Sequence, residues 1–241
     1  MAGAPSAEAV RLVELLTSDD AEARHRGYAE LESADAAAAA TPTVVEALVE
    51  GALCSAQVEA AEYRQVCALM GDLMFREEGG FDVELIRQGR WIRAWEAPAL
   101  LAAANKPPAE MTREDALVVA ADLSVLMMTS RGWTHHHQVA GEDEMVTLSK
   151  ALRHPLYPER AAANPGANER LFELALEVCR DPQGLSKRQL AGVWNCLFFL
   201  ITMRAELGVV AINGGIFEAA VAELRELEYI SAYYLQTEWG R

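Results

Sequence analysis

Arg87, Arg90 and Arg93 recur at intervals of three, and Trp91 and Trp95 stand four apart among them. On a helix over 90–97 the two indoles share one face and the guanidinium groups crowd the neighbouring one. Trp and Arg are the commonest anchors of protein interfaces, because each joins a large contact area to directed donors. These five residues form a candidate recognition patch for a protein or peptide. The structural alternative is that both indoles pack as core while the arginines pair with acids such as Glu84 and Glu96. The run His135-His136-His137 offers imidazole, a common zinc ligand, but no second ligand cluster at a recognised spacing accompanies it. It reads as the polar start of a helix or a loop, and no metal ligand is assigned. Cys54, Cys67, Cys179 and Cys196 lack CxxC spacing and sit in apolar helical settings, so they read as buried, inert thiols. Acid pairs such as Glu77-Glu78 and Glu142-Asp143 fall at helix ends and read as solvated.

No GxSxG, P-loop, GxGxxG after a strand, HExxH or calcium loop is present. The sequence therefore assigns no catalytic residue and calls for no cofactor. A net charge of −15 repels phosphate backbones and argues against nucleic-acid or anionic-membrane binding. That charge favours a basic partner, although acidity also serves solubility. The longest apolar runs, such as 196–201, are far short of a membrane span. With no secretion signal at the N-terminus, the chain is expected to be cytoplasmic and reduced.

The elements that must position these residues are helical. Apolar residues make up 51% of the 241 and aromatics only 7%, so the core rests on Ala, Leu and Val, and no long Val/Ile/Thr alternation is present. Val10, Val13 and Leu16 fall at helical spacing. Asp19 or Asp20 can cap a second helix carrying Tyr28 and Leu31, and the pair over 1–40 reads as a terminal capping hairpin. The alanine tract 36–40 is able to extend that second helix. Thr41-Pro42 reads as a helix start with Thr as cap, followed by Val45, Leu48 and Val49. Tyr63 to Met74 marks a longer helix. Thr112 with Asp115 opens another, and Ser186 with Gln189 forms a capping box for a helix through Ile201. Residues 155–168, rich in Pro, Ala and Asn, read as a loop or insertion, with a helix over 171–179 beyond it.

Three segments, 83–92, 138–146 and 209–217, repeat an apolar turn, a glycine and a second apolar helix. The glycines Gly89, Gly141 and Gly215 are separated by 52 and 74 residues, and Leu73, Leu123 and Leu197 on the long helices by 50 and 74. Agreement between two sets of landmarks indicates degenerate helical units that must bury their faces on one another.

This pattern resembles the armadillo and HEAT repeat superfamily. Residues 206–214 followed by 216–227 look like the first and second helices of an armadillo unit, and 190–203 like the third helix of the unit before. Residues 83–89 with 91–104, then 117–128, resemble another unit, and the pair 10–16 and 23–31 a two-helix HEAT unit. The resemblance implies an all-α fold, an α-α superhelix of about four to five units in one domain over 1–241. It also implies a non-enzymatic scaffold or adaptor that binds protein along one face. Armadillo grooves that read extended basic signals carry Trp with Asn four residues later on the third helix. Here Trp194 has Phe198 at that place and Asn195 beside it, so no importin-like ladder is expected, and Trp194 and Asn195 stand as separate binding candidates. The reading from a different class is a helical enzyme or small-ligand binder with a pocket between helices, which converging carboxylates or a His near a Cys would mark.

Overall fold

The computed structural model describes residues 5–74, 76, 80, 81, 84, 97–122, 164–203 and 206–220, excluding the side chains of 188, 195, 198, 199, 202 and 203. Every regular element among the described residues is helical. In chain order these are α1 (Ala7–Leu16), α2 (Ala21–Ser33), α3 (Ala36–Ala39) and α4 (Pro42–Glu46), which runs on as a π-helix (Ala47–Leu53). Next come α5 (Ala60–Met74), α6 (Pro98–Ala104), a 3-10 turn (Pro108–Glu110) and α7 (113–122). The last are α8 (Ala167–Arg180), α9 (Lys187–Met203), α10 (Glu206–Asn213) and α11 (216–220).

The helix starts follow local chemistry. Ser6 Oγ accepts from the Ala9 amide and Asp20 Oδ1 from that of Glu22, each satisfying a donor that the first turn leaves open. Asp35 does the same for Ala37, so the alanine tract forms its own short helix and does not extend α2. Ser186 and Gln189 cap each other reciprocally at 2.9 and 3.2 Å, the capping box that the sequence indicates. Asp115 caps α7 by accepting from the Thr112 amide and hydroxyl, both at 2.7 Å.

Several local expectations are corrected. Thr41 stands at the N-cap with Pro42 in the first turn, as expected, but makes no side-chain cap; its hydroxyl turns back to donate to the Ala38 carbonyl. The buried stripe of α1 is Ala9, Leu12 and Leu16, while Val10 is exposed. Of the helix expected over 91–104, residues 91–96 lie outside the described residues; α6 starts at Pro98, with Ala97 held in extended backbone before the proline. The loop expected to reach residue 168 ends sooner. Gly166, in the left-handed region at φ +84°, turns the chain into α8 at Ala167. Asn164 holds this turn, donating to the Lys106 carbonyl at 2.7 Å.

One hydrophobic cluster joins the described elements. The helix α1 packs on α2, on α4 and on the π-helix; α5 packs on the π-helix, α2 and α6; α8 packs on α9 and α10. Most of these partners are near neighbours in the chain. Leu73 on α5 and Leu197 on α9 are both buried at 1% exposure, and Leu123 lies outside the described residues.

The π-helix carries Gly51 against the end of α1. A Cβ there would sit 2.9 Å from the Leu16 carbonyl oxygen and 3.2 Å from Thr17 Cα, both backbone atoms that cannot rotate away. Gly51→Ala is expected to destabilise by about 1–3 kcal/mol through overpacking, against a helix-propensity gain of at most about 1 kcal/mol. Urea denaturation checks this through a lower midpoint at unchanged slope.

Candidate interaction surface and buried polar ties

Of the seven residues the sequence nominates, Arg87, Arg90, Trp91, Arg93 and Trp95 lie outside the described residues, as do His135, His136 and His137. Trp194 is on α9, half-buried and packed against the core, and Asn195 follows it on the same helix. The acids of 77–78 and 142–143 also lie outside the described residues.

Sequence reading missed a buried ion pair. Arg24 on α2 is 2% exposed and Glu62 on α5 7%. The guanidinium reaches the carboxylate through two bonds, Nε to Oε1 at 2.7 Å and Nη2 to Oε2 at 2.9 Å. Its remaining nitrogen donates to the Ser18 and Asp19 carbonyls at 3.0 and 3.1 Å, and Tyr28 donates its hydroxyl to Glu62 Oε1 at 2.7 Å. These bonds tie the α1–α2 turn and α2 to α5. One helix face further, Tyr63 donates to Asp122 Oδ1 at 2.8 Å, tying α5 to α7, and Cys67 lies one turn along from Tyr63.

The electrostatics fit a structural role. Burial alone would raise the Glu62 carboxyl; hydrogen bonds from Arg24 and Tyr28, with the Arg24 charge, outweigh it and hold the pKa below the ordinary 4.5. Burial first, then the bond to Glu62, pushes the Tyr28 hydroxyl up. Burial and the Asp122 charge raise Tyr63 and Cys67 well above their ordinary values, and burial pushes Cys196 up to about 12. A lowered carboxylate stabilises the fold above its unfolded value of 4.5, and that contribution is lost as pH falls through the folded value. The raised groups act oppositely. Their contribution is whole below their unfolded values, 9.0 for Cys67 and 10.0 for the tyrosines, and is lost as pH rises beyond them. Urea midpoints are therefore expected to be flat between about pH 6 and 8 and to fall on both sides. Glu62→Gln should make the acid limb shallower, leaving the part that Asp115 carries, and should leave in place the alkaline fall set by Tyr63 and Cys67.

The second feature lies at the surface. Leu207 and Ala211 are the buried residues of α10. Val209, Val210 and Ile212 are 61%, 46% and 55% exposed, and Phe217 on α11 is 62% exposed. A helix this apolar around its circumference ordinarily lies inside a protein. The turn after it is fixed by two glycines. Gly215 takes φ +79°, as the glycine exit of the sequence pattern requires. A Cβ on Gly214 would meet Leu176 Cδ2 at 2.5 Å and Arg180 Nη2 at 2.8 Å, so the turn is pressed onto α8 and α10 turns its other side outward. The sequence signal was available: Leu207 through Ile212 carries no polar side chain, whereas a helix seated on one neighbour buries only one stripe.

Among the described residues no group of three or more His, Cys, Asp or Glu could hold a metal ion, and no helix is long and apolar enough to cross a membrane. Cys67, Cys179 and Cys196 are buried and Cys54 is half-buried. No family model matches the chain, and no curated protein and no solved structure was found to be similar to it.

Proposed function

We propose that the chain is a non-enzymatic scaffold or adaptor that binds protein along one face of an armadillo/HEAT-like α-α superhelix. The observation that carries this reading is the exposed apolar surface of α10 and α11. Val209, Val210, Ile212 and Phe217 fall within nine residues and are all exposed, and large apolar side chains left exposed together commonly mark an interaction site. A short helix ending at glycine, followed by a second helix, is also how an armadillo unit begins. The thiols support the non-catalytic side, since burial and raised pKa make Cys67 and Cys196 poor nucleophiles.

The test is affinity capture with the full chain, followed by reconstitution of each candidate complex from purified components. A stoichiometric protein complex is expected for the wild type and its loss for the double variant Val210→Asp/Phe217→Asp. Both positions are exposed, so the variant should keep its helicity and melting temperature. A complex that forms equally well with the variant would place the interface elsewhere. Failure to form any protein complex would remove the reading.

A further inference from the structure

We infer that the α10–α11 surface docks a cationic amphipathic helix, with apolar residues along one stripe and Lys or Arg on its flanks. The inference rests on the protein-binding reading and names the partner's chemistry. The exposed apolar residues supply one half of the match. Charge supplies the other: Glu206 and Glu218, both exposed, bracket the apolar stretch, and no Lys or Arg lies between them. On the neighbouring helix α8, Glu173 and Glu177 are exposed beside Arg170, and Arg180 sits at the Gly214 turn, so the local balance stays acidic. The chain as a whole carries −15, which repels a second copy and attracts a cationic segment.

The partner's conformation follows from the backbone. No sheet edge is present among the described residues, so strand addition has no template there. Recognition must run through side chains, and Phe217 is the only aromatic residue on the described part of the surface, fewer than a polyproline groove uses. A helix presents its anchors at intervals of three and four, matching Val209 and Ile212, which stand three apart on α10 with Val210 exposed to one side of them.

Fluorescence anisotropy with the full chain at physiological salt tests this. The probe is a labelled peptide of Leu and Lys with leucines at helical i, i+3, i+4 spacing. A second peptide has the same composition in an order that leaves no apolar stripe. The first should bind at least about tenfold more tightly than the second, and Val210→Asp/Phe217→Asp should cost at least about tenfold. The variant makes the protein more acidic, so attraction by charge alone would strengthen binding and not weaken it. Equal affinity for both peptides, or a variant that binds as tightly as the wild type, overturns the inference. Alkylation of Val210→Cys, with the native chain as background, separates the two levels of failure. A reactive thiol with no peptide binding removes the cationic helix and leaves the protein-binding reading in place. A reactive thiol that becomes protected as the protein self-associates in sedimentation does the same, with a second copy as occupant. An unreactive thiol in the monomer means that the chain covers its own surface, and both fall.

Discussion

Arg24→Met is expected to lower the unfolding free energy by about 3–5 kcal/mol, the cost of leaving one partner of a buried ion pair behind. Glu62 would keep only the Tyr28 hydroxyl, and the Ser18 and Asp19 carbonyls would lose the guanidinium that joins their turn to α5. The pair itself is a different quantity. Both charges are almost fully buried, and their desolvation cancels much of their attraction. The double variant Arg24→Met/Glu62→Leu should therefore recover most of the loss. Urea denaturation of the two single variants and the double variant gives the coupling directly. Additive losses would show that the bidentate bonds carry little of the stability of this corner.

Leu197→Ala is expected to cost about 2–5 kcal/mol, from lost burial and the cavity left behind. Leu197 is 1% exposed and lies on the α9 face that also buries Leu190, Val193, Cys196 and Leu200. Val209→Ala, which also truncates an aliphatic side chain but at a site 61% exposed, should stay within about 0.5 kcal/mol. Melting or chemical denaturation of both variants decides it. Equal losses would mean that α10 is covered in solution and that the exposed surface does not exist.

The helical class and most helix starts were legible because they rest on local chemistry. Ser186 with Gln189 and Thr112 with Asp115 need only each other's reach, and a period near 3.6 fixes the burial of Leu190, Val193 and Leu197. Stripes were less legible where alanine and valine compete. On α1 the smaller Ala9 goes inward and Val10 outward. The start of α6 was readable from Pro98, whose ring fixes the first turn.

Two features needed the tertiary structure. Arg24 reads as one more charge on a polar helix until α5 brings Glu62 to it across 38 residues. The Gly51 contact likewise depends on how the end of α1 meets the π-helix. The candidate surface falls between these cases. The apolar run of α10 is plain in the sequence, but which residues stay outside depends on Gly214 lying against Leu176.

The central claim is that an apolar surface at α10–α11 stands open for a protein partner, and carbene footprinting of the full chain at low concentration tests it most directly. Val209, Val210, Ile212 and Phe217 should be labelled heavily, while Leu207 and Ala211 on the same elements stay protected. Equal protection of all six residues in the monomer would contradict the account.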